Sequence, residues 1–309
     1  MAKGNVLLGY GRGSIGDVVL SRVKGQQVAK ARNRKPANPR TQSQMMQRSR
    51  FLAPVKFFAR GIQAMFTFAF EDKKAFESDY NAFMRHNAKR GVYLTKANAD
   101  NASFPAVGSF IMTKGSLSNM GIMIDEIGSG TRAVILGHVP ANKITAETTW
   151  GDLCKALKES GCVITEGTIM TFYHITTDAK KDAQDILYVE ENAVAPKWDI
   201  KQIVFDSTST MPLAEAPITL DGDEFAKQVL LGEPVPESAA DGFGYVLSQN
   251  TANGLKVSTS IIQLSGVLEA GLDAMTTPSY GELVAASWGA SEDAILQGSI
   301  AKKAAASAE

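Results

Sequence analysis

"GYGRGSIGDVVLSRVKGQQVAKARNRK", residues 9–35, decides how the chain begins. Gly11, Gly13 and Gly16 fall in a G-x-G-x-x-G spacing directly after Val6, Leu7 and Leu8. In a dinucleotide fold such a series opens a helix whose N–H groups face a pyrophosphate, with an acid about 20 residues further on. Neither feature follows here. Val18, Val19 and Val23 are β-branched and form no helical apolar stripe, and at the required distance stand Arg32, Arg34 and Lys35. The stretch instead predicts an antiparallel meander with strands near 4–9, 17–24 and 26–34, joined by the glycine corner and a turn at Gly25.

Strand side chains alternate between faces. Arg22 and Lys24 therefore share a face of the second strand, and Lys30, Arg32 and Arg34 share a face of the third. If the pairing register brings the two sets together, the ribbon presents five cations on one surface, a cluster that phosphates would offset. The alternative is a solvated edge whose cations discourage aggregation. Lys35, Arg40, Arg48 and Arg50 extend the cationic track beyond the ribbon.

Pro36 and Pro39 end the third strand and hold an extended linker. Thr41 followed by Gln44 has the spacing of a capping box, so a helix is expected to start there and to break or kink at Pro54. A second helix near 55–69 is rich in phenylalanine, including Phe57, Phe58, Phe66 and Phe68, with Phe70 just beyond. Aromatics among cations suit single-strand stacking, although at helical spacing they more often form core or interface. A third helix is expected near 75–90, with Gly91 as its C-cap.

From about residue 100 the texture changes. Residues 109–121 read as loop, 131–139 as a strand and 147–161 as a helix with Asp152 in its first turn and Gly161 after it. Further strands are read at 162–176, in 185–191 and in 200–206, and a hairpin turns at Asn253-Gly254. The fold class is α+β: an N-terminal β-meander plus helices, followed by a mainly antiparallel β domain, barrel- or sandwich-like. Two domains are expected, a basic one at 1–100 and an acidic one at 101–309, the second with a helix near 150–160 and a frayed C-terminal tail.

The 309 residues carry no net charge, but the charge is unevenly spread. Residues 1–60 hold thirteen Lys and Arg against Asp17 alone, and residues 1–100 carry a net +13 against −13 for the remainder. Such asymmetry points to nucleic acid or another polyanion, or to docking of the basic part on the acidic part within or between subunits. The chain is expected to be soluble and intracellular, because the N-terminus lacks a signal-peptide pattern and no apolar run reaches the length of a membrane span.

Catalytic signatures are missing from the sequence. It contains neither a G-x-S-x-G elbow nor an H-E-x-x-H pair, and no lysine follows a glycine run in P-loop spacing. His86, His138 and His174 are far apart, Cys154 and Cys162 cannot make a metal quartet, and the acids of 221–224 lack calcium-loop spacing. No enzyme activity, cofactor or metal is expected.

The series Gly16-Asp17-Val18, Gly25, Gln27, Arg32, Arg34, Asn38-Pro39, Thr41, Gln44 and Gln47-Arg48 resembles the N-terminus of an uncharacterised protein family of gut bacteria, their phages and mobile elements. The resemblance covers the first 90 residues and implies a phage-type context, without an activity or site residues to carry over. Together with the charge pattern, the expectation is a non-enzymatic protein that binds nucleic acid, single-stranded DNA in particular, through Arg22, Lys24, Lys30, Arg32, Arg34, Lys35, Arg40, Arg48 and Arg50. The alternative is a virion structural protein, coat or minor capsid, whose basic N-terminus contacts the genome or a neighbouring subunit. A homo-oligomer in the host cytoplasm or the virion, with no membrane partner, fits either reading.

Overall fold

A computed structural model of the chain describes residues 11–23, 26–32, 40–60, 69–118, 123–127, 131–135, 145, 147–159, 161, 163–216, 219–221, 228–230, 235–236 and 240–290. The meander forms from β1 (Gly13–Ile15), β2 (Val18–Val23) and β3 (Gln26–Ala31), in spatial order β1-β2-β3. The strand expected at 4–9 lies outside the described residues, and the glycine stretch itself supplies β1. Ile15 pairs with Val18, which leaves Gly16 and Asp17 as a two-residue loop. Gly16 has φ +54°, the left-handed setting that a type II′ hairpin asks of its first central residue. A strand follows Gly16 where a pyrophosphate site needs a helix N-terminus.

Helix α1 (Gln42–Ala59) starts as its capping residues predict, with the Thr41 side chain accepting from the Gln44 N–H at 3.4 Å. The break expected at Pro54 does not occur, and the helix runs through it. Proline removes the N–H that would bond the Arg50 carbonyl four residues back. Gly91 closes over that carbonyl, for a Cβ on Gly91 would lie 2.2 Å from the Arg50 oxygen. The backbone therefore approaches where only a Cα–H fits. Helix α2 (Asp79–Asn87) is shorter than the expected 75–90 and ends at Ala88, so Gly91 serves close packing and is not the C-cap. A short α3 (Lys96–Asp100) follows, capped by Thr95.

Next come β4 (Ile111–Thr113), within a stretch whose sequence reads as loop, then β5 (Met123–Ile127), β6 (Thr131–Ile135) and α4 (Trp150–Glu159). Strands β7 (Ile169–Thr176), β8 (Lys180–Lys181), β9 (Leu187–Tyr188) and β10 (Lys197–Val204) lead to the short β11 (Thr219–Asp221), β12 (Gln228–Leu230) and β13 (Val235–Pro236). Strand β14 (Gly242–Thr251) then makes the expected hairpin with β15 (Gly254–Val257). The described chain ends with β16 (Ser260–Ile261), β17 (Gln263–Leu264), α5 (Gly266–Ala274) and α6 (Pro278–Ser287). The tail expected to fray, 291–309, lies outside the described residues.

The main sheet runs β10-β7-β14-β15, antiparallel throughout, with β17 on the other end of the edge of β14 that carries β15. A second sheet has the order β11-β12-β6-β13, with β5 on the far edge of β6. The described sheets stay open, so the barrel alternative gives way to stacked helices and sheet within the α+β class.

The period of two in β7 explains the layering. Met170 and Phe172 face α4, where with Tyr245 and Leu247 they enclose Trp150, Leu153 and Leu157. Tyr173 and Ile175 face the opposite way, into a cluster with Phe57 and Phe58 of α1, Phe83 of α2, Leu268 and Leu272 of α5 and Val284 of α6. This core draws on residues before and after position 100. Phe57 and Phe58 are core residues, as helical spacing suggests, and so is Phe70, outside any helix in an isolated bridge with Lys114; Phe66 and Phe68 lie outside the described residues. No described helix is long and apolar enough to cross a membrane.

Candidate nucleic-acid interface

The three-stranded ribbon is a sheet of its own, and no residue of its strands is fully buried. Its register fixes which cations share a face. Val19 pairs with Lys30, Ser21 with Val28, and Arg22 with Gln27. Directly opposed residues lie on the same face. Arg22 therefore joins Ile15, Val18, Leu20, Gln27 and Ala29 on one face. Lys30 joins Val19, Ser21, Val23 and Val28 on the other, and Arg32 continues its parity just beyond β3. The single five-cation surface does not form: a register one residue away would have made it, and this one sends the cations to both sides. Lys24, Arg34 and Lys35 lie outside the described residues. Arg32 is held in line by its N–H, which donates to the Asp17 carbonyl at 2.6 Å.

The extended track also divides. Arg40 and Arg48 are exposed, Arg40 with φ +50° just before α1. Arg50 is engaged internally: Nε donates to the Gly91 carbonyl at 2.9 Å, and an Nη to the Lys89 carbonyl at 2.7 Å. Its guanidinium also lies 5.8 Å from the centre of the Tyr93 ring. Other arginines of the basic region act alike. Arg60 donates to the Phe104 and Asn101 carbonyls, and Arg90 to the Ser109 carbonyl at 2.9 Å. Part of the basic excess thus ties loop carbonyls to the helices.

Arg85 is an anchor that the sequence reading does not single out. It binds the Glu77 carboxylate through two nitrogens at 3.1 and 3.0 Å, and the Asp72 carboxylate at 3.0 Å. Its hydrogen bond holds the Asp72 carboxyl below its usual value against a smaller opposing effect of burial, with His86 adding to the same side. Pairing between positions 72 and 85 depends on how the intervening loop folds, and nothing in the spacing announces it.

The histidines have structural surroundings. His86 bonds Asp72 at 3.2 Å and stacks on Phe70. His174 bonds the buried Asp241 at 2.9 Å and stacks on Phe243. His138 and Cys162 lie outside the described residues, and of 221–224 only Asp221, in β11, is described. Cys154 is buried within α4, which pushes its thiol up to about 12. Among the described residues no three His, Cys, Asp or Glu side chains group as metal ligands.

Residues 10–125, which span the ribbon, α1 to α3 and part of β5, match the model of a family of unknown function (DUF6266). No curated protein matches the chain. No solved structure matches it either.

Proposed function

We propose that the chain is a non-enzymatic nucleic-acid-binding protein that uses its N-terminal ribbon as the contact. The observation that carries this reading is the placement of exposed Arg22 on one face of the ribbon and exposed Lys30 and Arg32 on the other. A thin ribbon with cations on both sides suits a polyanion that wraps it or encloses it in a groove, and contacts to phosphate give affinity without sequence readout. Arg40 and Arg48 extend the contact, and Arg50 drops out of it. Single-stranded DNA is the proposed ligand.

The test is a titration of the full chain against labelled single- and double-stranded DNA over a salt series. Tight binding that weakens steeply with salt is expected. In Lys30→Ala/Arg32→Ala the log–log slope should fall by about 1.4 on single strands, about 0.7 per lost phosphate contact. An absence of binding at low salt, or an unchanged slope in that variant, overturns the reading.

A virion structural role is the second reading. It is favoured by Ile15, Val18 and Val23, which are 51%, 43% and 50% exposed on a ribbon with no covering layer among the described residues. Ile15 and Val18 share one face of the ribbon and Val23 lies on the other, and exposed apolar residues on a small sheet suit a subunit contact. Large regular assemblies formed without DNA, seen by electron microscopy, would favour it over the first.

A further inference from the structure

The two ends of the main sheet differ. At β15 the Val257 N–H donates to the Glu71 carboxylate at 2.7 Å, and the Val257 carbonyl accepts from the Leu117 N–H at 3.0 Å. At the other end, no strand among the described residues pairs with the outer edge of β10. That strand is 8 residues long, and an exposed edge of such length is a template for a further strand. Trp198 anchors it, packing on the core with its ring 5.5 Å from that of Phe57.

The direction of the backbone groups along β10 follows from Phe205, just past its end. Phe205 turns both of its groups toward the start of β7: its N–H donates to the Thr168 carbonyl at 2.8 Å, and its carbonyl accepts from Gly167 at 2.9 Å. In an antiparallel ladder such groups alternate in direction from residue to residue. Lys197, Asp199, Lys201 and Ile203 therefore bond β7, opposite Thr176, His174, Phe172 and Met170. Trp198, Ile200, Gln202 and Val204 turn their N–H and C=O groups to the outer edge.

A second β10 laid antiparallel on this edge must match outward residues with outward residues. With Ile200 opposite Ile200 of the second copy, Trp198 stands opposite Gln202, and each pair can exchange both N–H···O bonds. Asp199 then falls opposite Lys201 of the second copy, and Lys201 opposite its Asp199. Moving the two-fold axis by one residue in either direction opposes Asp199 to Asp199 or Lys201 to Lys201, and directly opposed like charges are destabilising. The charges of β10 thus select one self-complementary register. Within one copy Lys201 Nζ lies 3.5 Å from the Asp199 carboxylate, with the side chains 49% and 59% exposed, a contact weak enough to be exchanged for one across the axis. On the opposite face Ile200, 44% exposed, meets its own copy at the centre.

We propose that two copies of this chain join β10 to β10 about a two-fold axis at Ile200, continuing the main sheet from one copy into the other. The contact is separate from the ribbon and does not depend on nucleic acid.

The test is sedimentation velocity of the full chain without nucleic acid over a concentration series. Wild type is compared with Asp199→Lys, Lys201→Asp and the double swap Asp199→Lys/Lys201→Asp. Both positions are exposed, and circular dichroism checks that every variant folds. The wild type should form dimers. Each single swap sets like charges against each other on both sides of the axis and should weaken association roughly tenfold or more. A mixture of the two single variants opposes every charge to its opposite and should dimerise again, and the double swap should do so alone. A monomeric wild type, single swaps that associate as the wild type does, or a mixture that stays monomeric overturns the proposal. None of these outcomes bears on the ribbon, whose DNA titration is read separately.

Discussion

Replacing Arg50 by alanine separates the two roles an arginine in this region can have. The side chain makes one half-buried bond to the Gly91 carbonyl and one exposed bond to the Lys89 carbonyl, beside the Tyr93 ring. A hydrogen bond involving a charged group contributes about 1.5–3 kcal/mol, and the exposed one is discounted for solvent screening. The expected loss is therefore about 2–3 kcal/mol, or roughly 3–5 °C in Tm for a chain of this size. Arg50→Lys should recover only part of it, because an ammonium cannot span both carbonyls as the guanidinium fork does. Thermal and urea unfolding measure the stability, and the DNA salt titration on the same samples measures the phosphate contacts. Arg50→Ala should unfold early while its salt slope matches the wild type at temperatures where both are folded. A variant as stable as wild type whose slope drops by about 0.7–0.9 would make Arg50 a phosphate contact and refute its structural assignment.

Gly91→Ala should destabilise by about 1–3 kcal/mol in urea unfolding, since the new Cβ meets a backbone oxygen that cannot rotate away; a wild-type midpoint would show that α1 and the 88–91 turn separate freely. In a Cys162→Ser background, Cys154 should resist thiol reagents at pH 8 until the chain unfolds, as its thiol is pushed up to about 12 by burial. Rapid labelling of the native protein would contradict that. Glu166 is held down to about 2 by Lys158 and Ser207. Its stabilisation is thus present above the ordinary carboxylate value of about 4.3 and is lost as pH falls from there toward 2. The urea midpoints of Glu166→Gln and wild type should differ near neutrality and converge near pH 2; a gap independent of pH would assign the effect to packing.

Elements whose ends are set by local chemistry were legible in the sequence. Gly16 sets the first hairpin. The late hairpin forms as expected but turns at Ala252-Asn253, one residue before the Asn253-Gly254 pair, with Gly254 opening β15 at φ +109°. Thr149, at the start of α4, exchanges hydrogen bonds with Asp152 as a capping pair. Helices α5 and α6 were missed although Ser265 and the Thr277-Pro278 pair stand at their starts. The continuity of α1 through Pro54 could not be read locally, because it depends on Gly91, far along the chain. The register of the ribbon was hidden for a similar reason. Alternation says which residues of one strand share a face, but pairing decides which faces coincide, and a shift of one residue reverses the answer.

The charge asymmetry was plain in the sequence, but its use was not. A count of arginines treats Arg50, Arg60 and Arg90 like Arg32, whereas the fold turns the first three toward backbone carbonyls. Those carbonyls belong to irregular segments after α2 and α3 that leave acceptors outside any helix or sheet ladder, and a long side chain carrying several donors can satisfy two of them at once. A basic region rich in such turns therefore consumes cations internally before any reach a ligand. What a polyanion can reach is set by exposure together with register, and on the ribbon Arg22 is exposed on one side and Lys30 with Arg32 on the other. A ligand that touches only one face would meet one of these sets, so the separate effects of Arg22→Ala and Lys30→Ala on the salt slope report whether nucleic acid lies along the ribbon or around it.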